Sequence, residues 1–84
     1  MKIVLVTGGF DPVHSGHIAY FKAARTLGDS LIVGLNSDEW LTRKKGRSFM
    51  PWNERLCVIN NLSMVDEVYT FDDEDGSARR FIHK

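Results

Sequence analysis

One stretch constrains this chain more than any other: Gly8-Gly9-Phe10-Asp11-Pro12-Val13-His14-Ser15-Gly16-His17, set just behind the apolar run Ile3-Val4-Leu5-Val6. A short apolar run bounded by turn residues is the pattern of a strand covered on both faces in a parallel sheet. Ligands of such sheets bind beyond the carboxyl ends of the strands, where this stretch falls. Gly8 and Gly9 let backbone amides approach a bound group, and the helix that follows offers unpaired N–H donors and a positive dipole end to an anion. His14 and His17 are three residues apart, so a helix begun by His14 puts both on one face near that end. Two imidazoles would then flank the anion and stabilise charge that accumulates on phosphate oxygens during phosphoryl transfer. The plain alternative makes the glycines a turn, Asp11 a helix cap and the histidines incidental. The coincidence of strand, glycine turn, Asp-Pro and His-x-Gly-His favours the site.

Rival motifs fit poorly. No Gly-Lys-Ser/Thr ending marks a P-loop, and Gly8-Gly9 followed by Gly16 lacks the Gly-x-Gly-x-x-Gly spacing of dinucleotide folds. Zinc bound by His14, His17 and Cys57 lacks a fourth ligand and any paired-cysteine spacing, so no protein metal site is expected.

Further along, Leu31-Ile32-Val33-Gly34-Leu35 reads as a second interior strand beside the first, and Glu67-Val68-Tyr69-Thr70-Phe71 as an outer one. Ile18, Phe21 and Ala24, with Tyr20 and Leu27 beside them, predict an amphipathic crossover helix stopped by Gly28. A helix is expected from about Pro51 to Leu62, and a short one over Ser37 to Arg43 capped by Ser37 or Asp38. Arg43-Lys44-Lys45-Gly46-Arg47 reads by itself as a solvated basic loop, Asp72-Asp73-Glu74-Asp75 as a solvated acidic one, and Gly76 to Lys84 as the start of a last helix. Strand, helix, strand, helix, strand implies a Rossmann-like, doubly wound parallel α/β sheet with right-handed crossovers.

Eleven basic and eleven acidic side chains give a formal net charge of zero over 84 residues. That balance lacks the broad positive field of a nucleic-acid-binding protein. The lone Cys57 has no partner for an intrachain disulfide, and the first apolar run is too short for a signal core or membrane span. A cytoplasmic protein with no membrane association is expected.

Taken together, Gly9-Phe10-Asp11, His14-Ser15-Gly16-His17, Leu27-Gly28-Asp29, Asn36-Ser37-Asp38, Lys45-Gly46, Glu54-Arg55 and Val65-Asp66-Glu67-Val68 resemble the cytidylyltransferase-like nucleotidyltransferases. This superfamily includes glycerol-3-phosphate cytidylyltransferases and heptose 1-phosphate adenylyltransferase domains. The resemblance implies transfer of a nucleotidyl group, CMP in preference to AMP, from CTP or ATP to a small phosphorylated acceptor, with release of pyrophosphate. It implies that His14 and His17 contact the triphosphate and that Gly8, Gly9, Phe10, Asp11 and Gly16 shape the nucleotide site. Lys44 or Lys45 would neutralise phosphate charge, Arg55 would hold the acceptor's phosphate, and magnesium would accompany the triphosphate.

Family members continue past a third strand, and their first strand is central. Residues 1–84 are therefore expected to be a single domain forming the N-terminal part of that fold, truncated after about three strands. An uncovered strand edge invites pairing, so a homo-oligomer is expected. The alternative is a nucleotide-binding or assembly module that keeps the His-x-Gly-His site without turnover.

Overall fold

The computed structural model describes residues 1–72. Its elements are β1 (Ile3–Gly8), α1 (Ser15–Arg25), β2 (Ser30–Leu35), α2 (Asp38–Lys45), α3 (Trp52–Asn60) and β3 (Glu67–Thr70). The strands form one parallel sheet in the order β1-β2-β3, with Val4 opposite Leu31, Val6 opposite Val33 and Val33 opposite Val68. This is the open, Rossmann-like α/β arrangement, with β3 on the outside as its mixed pattern predicts. β2 is the central strand of the described residues, whereas β1, read as interior, lies at the other edge.

Two right-handed crossovers stepping the same way along a sheet carry their helices to one face. Val6, Phe21, Ala24, Leu31, Val33, Leu35 and Ile59 fill the space beneath them. Phe21 is fully buried and alone contributes about 2–3 kcal/mol by leaving water. Period-two alternation sends Ile3 and Leu5 to the opposite face from Val4 and Val6, and Ile3 remains 55% exposed.

The ends of the elements depart from the sequence pattern for local reasons. α1 stops at Arg25 with Thr26 as its cap, and Gly28 is not a left-handed stop. Gly28 is small because a Cβ there would meet the Lys2 carbonyl and Val4 Cγ2, both at 2.8 Å. Two carboxylates stitch the start of the sheet: Asp29 accepts from Lys2 N–H and Asp66 from Leu31 N–H, each at 2.7 Å. The matching Leu-Gly-Asp and Val-Asp-Glu-Val stretches are thus structural joints.

α2 runs two residues further than expected, so Arg43, Lys44 and Lys45 form its last turn instead of a loop. Cations there oppose the negative end of the helix dipole. Ser37 caps α2 by accepting from Trp40 N–H at 3.1 Å. α3 starts after Pro51, which offers no side-chain cap; Asp38 supplies one from α2 by accepting Trp52 N–H at 3.1 Å. Asp72 is no free loop carboxylate, because it accepts from Ser37 N–H and Oγ at 2.8 and 2.6 Å. The rest of the acidic run and the last helix lie outside the described residues. Among the described residues no helix is long and apolar enough to cross a membrane.

Candidate active site

The carboxyl ends of β1 and β2 meet at one end of the sheet, where Asn36 N–H donates to Gly8 O at 3.0 Å. Gly8 is the last residue of β1, so the turn proper begins at Gly9. A Cβ on Gly9 would sit 2.6 Å from Leu41 Cδ2, which means that α2 packs directly on the turn. Phe10 then takes a positive φ of 49° and buries its ring against His17 and Phe21, each with centroids 5.0 Å away. A non-glycine residue held in this region stores backbone strain that the surrounding packing must sustain. Phe10 shapes the site from below, as the floor on which His17 rests.

His14 is the N-cap of α1, with extended φ and ψ, and His17 is its third helical residue. Gly16 N–H donates to His14 Nδ1 at 3.0 Å, and His14 N–H donates to His17 Nδ1 at 3.2 Å. This is a capping box built from two imidazoles in place of the usual hydroxyl and carboxylate. The rings stack with centroids 4.0 Å apart and 25° between planes. Gly16 is required here, since its Cβ would lie 2.8 Å from His14 Cε1.

This arrangement fixes the tautomers. A nitrogen that accepts an N–H carries no proton, so each neutral ring bears its hydrogen on Nε2. Burial, and then the like charge of His14, lower the His17 pKa from its ordinary value, favouring the neutral ring. The first turn of α1 contains no acidic residue, leaving its positive end uncompensated. Two Nε2–H donors at an uncompensated helix start are suited to phosphate oxygens.

Asp11 does not cap α1. Its side chain, 1% exposed, accepts from Phe49 N–H at 2.6 Å and Met50 N–H at 2.5 Å and pairs with Lys45 Nζ at 3.0 Å. Burial acts to raise its pKa, but the two backbone donors and Lys45 outweigh that and hold it below the usual carboxylate value. Asp11 therefore shapes the site by fastening the segment after α2 beside the glycine turn. Lys45 also donates to Asp11 O at 2.9 Å, whereas Lys44 extends over the Trp40 ring at 5.4 Å. Of the two lysines, the structure brings only Lys45 to the turn.

Arg55 departs most from expectation. Its side chain is fully buried and donates to Met50 O at 2.9 Å, Gly9 O at 2.9 Å, Asn36 O at 2.6 Å and Asp38 Oδ1 at 2.6 Å. A guanidinium committed in this way is not presented to an acceptor phosphate. It gathers the glycine turn, the end of β2, the segment before α3 and the start of α2. Asp38 is counter-charge and cap together: burial acts to raise its pKa, while Trp52 N–H, Arg55 and Ser48 lower it overall.

Sequence reasoning gave Asn36 no role of its own and offered Asp38 only as an alternative cap of α2, a place that Ser37 takes. Asn36 is 3% exposed and donates from Nδ2 to Phe71 O at 2.6 Å, locking β2 to the end of β3. The available signal was position, because Asn36-Ser37-Asp38 directly follows an apolar strand at its carboxyl end. Among the described residues no three His, Cys, Asp or Glu side chains group as metal ligands.

Residues 5–84 match the family model described as cytidylyltransferase-like. The chain is 45% identical over 75 residues to the bifunctional protein HldE of Campylobacter concisus. It is 49% identical over 76 residues to that of Campylobacter jejuni subsp. jejuni serotype O:6. Both alignments take in 87% of this chain, which spans only 16% of the length of these curated relatives. The fold is similar to the crystal structure of the lipopolysaccharide core biosynthesis protein from Thermoplasma volcanium, with a TM-score of 0.85 and 31% identity over 99% of this chain and 66% of that one. With the family model matching residues 5–84 of the 84 and the glycine turn leading into a His-x-Gly-His helix start, this chain belongs to the cytidylyltransferase-like family.

Proposed function

We propose that this chain carries the triphosphate-binding part of a nucleotidyltransferase active site. In the reaction, a phosphate oxygen of the acceptor bonds to the α-phosphorus of a nucleoside triphosphate. The bond from that phosphorus to the bridging oxygen breaks, and pyrophosphate leaves with the electron pair. The observation that carries this reading is the stacked His14–His17 pair, whose Nδ1 atoms are occupied by backbone donors and whose Nε2–H groups remain to bond phosphate oxygens. Such donors matter most where charge accumulates in the transition state.

Lys45, joined to the turn through Asp11, supplies a nearby positive charge. Asp11 is committed to two N–H donors and Lys45, so magnesium enters with the triphosphate as part of the substrate. The family description supports CTP as donor, and the resemblance to heptose 1-phosphate adenylyltransferase domains supports ATP. The similar structure's description as a lipopolysaccharide core biosynthesis protein supports a sugar acceptor, here a phosphorylated one.

The test is pyrophosphate release from CTP or ATP with magnesium and a panel of sugar and polyol phosphates. Release that needs both nucleotide and acceptor, and that His14→Ala and His17→Ala each lower by about a hundredfold or more, is expected. Release that is unchanged in both variants would remove the histidines from the mechanism.

A further inference from the structure

With Arg55 buried among carbonyls, an acceptor phosphate needs another cation. Lys44 lies over Trp40, on a different part of α2 from the glycine turn. Two other cations converge on one ring: Lys45 Nζ lies 4.8 Å and Arg47 Cζ 5.1 Å from the Phe49 centroid. A single exposed aromatic is ordinary on a protein surface. Phe49 is 61% exposed, yet its backbone is fixed, because its N–H and that of Met50 both donate to Asp11. The ring therefore stands beside the Gly9 turn and holds two cations there by cation–π attraction.

Gly46 makes this possible. Its left-handed φ of 91° ends α2 and turns the chain back, so that Arg47 follows Lys45 toward Phe49 instead of continuing along the helix. Lys45 is paired with Asp11, whereas the exposed Arg47 makes no ion pair among the described residues. Its planar fork of donors is thus the uncommitted guanidinium nearest this ring, and such a fork matches a phosphate dianion.

We propose that Arg47, steadied by Phe49 beside Lys45, binds the phosphate of the acceptor substrate, a small organic phosphate dianion. This inference rests on the nucleotidyltransferase reading and assigns the acceptor side of the same site. Arg47 holds the attacking phosphate, while the histidine pair holds the triphosphate. Phe49 acts as a positioning residue through Arg47.

Two measurements test it. In the first, the Arg47 side-chain Nε–H resonance is followed while inorganic phosphate, and separately glycerol 3-phosphate, is titrated into the protein without nucleotide. A saturable shift is expected, retained in Arg43→Ala and weakened about two- to fivefold in Phe49→Leu. No shift up to tens of millimolar phosphate, or a shift no larger than at Arg43, overturns the proposal whether or not turnover occurs. In the second, Arg47→Ala raises the acceptor KM by about tenfold or more and leaves the nucleotide KM within about twofold, with Arg47→Lys between it and the wild type. Equal rises in both KM values, or no rise for the acceptor, overturn it. Failure of the wild-type protein to release pyrophosphate under any condition sinks the nucleotidyltransferase reading instead, and the phosphate titration separates the two failures.

Discussion

At the start of α1, His14 and His17 divide their tasks between ring nitrogens, with Nδ1 closing the helix and Nε2 left for a ligand. Protonation of His17 at Nδ1 would remove the acceptor for His14 N–H. Its folded pKa is lowered from 6.5 by burial and by repulsion from His14, so the unfolded chain takes up the proton first. The stability contributed by neutral His17 is therefore complete above 6.5 and is lost as pH falls through the folded pKa. Urea unfolding at a series of pH values should show this loss in the wild type, and His17→Ala should lack that part of it. The same variant should be less stable at pH 7 by about 1 kcal/mol, the usual worth of a helix-start cap. A His17→Ala protein with the wild-type pH profile would show that the cap does not form.

Between elements, the two joints that hold the site are Asp11 and Arg55. Asp11→Asn keeps one carbonyl acceptor for two backbone donors and loses the charge that pairs Lys45, so a destabilisation of about 1–3 kcal/mol is expected. Amide exchange at Phe49 and Met50 should quicken with it, and unchanged exchange there would contradict the joint. Because the folded Asp11 pKa is depressed, its stabilisation is present above 3.8 and disappears as pH falls through the folded value. Arg55→Ala leaves three carbonyls and Asp38 without their donor and should cost about 3–5 kcal/mol in chemical denaturation. Arg55→Lys should recover little, because a single ammonium does not reproduce the fork that spans Met50, Gly9 and Asn36. A lysine variant of wild-type stability would count against this account. These joints were hidden in the sequence for a definite reason. An Arg in a helix and an Asp after a glycine turn read equally well as ligand contacts or as ties, and only the fold shows that Arg55 has no exposed surface. The strands and His14–His17 were legible because apolar runs and a His-x-Gly-His spacing depend on neighbours in sequence. The reach of Asp11 to residues 49 and 50 does not.

On the scale of the whole molecule, β1 has one paired edge among the described residues, and Ile3 on the sheet's opposite face is more than half exposed. A parallel edge of apolar residues pairs readily with another strand. Concentration-dependent association is therefore expected in sedimentation, and Ile3→Lys should weaken it. A protein that is monomeric at high concentration, with an unchanged Ile3→Lys variant, would contradict that expectation. The central claim remains that the two imidazoles offer Nε2–H to a triphosphate. Long-range nitrogen–hydrogen correlation spectra of His14 and His17, recorded at neutral pH with and without magnesium and CTP or ATP, test it most directly. The expected result is an unprotonated Nδ1 and a protonated Nε2 in both rings, with the Nε2 signals moving on nucleotide addition; a protonated Nδ1, or rings indifferent to saturating concentrations of both nucleotides, would contradict it.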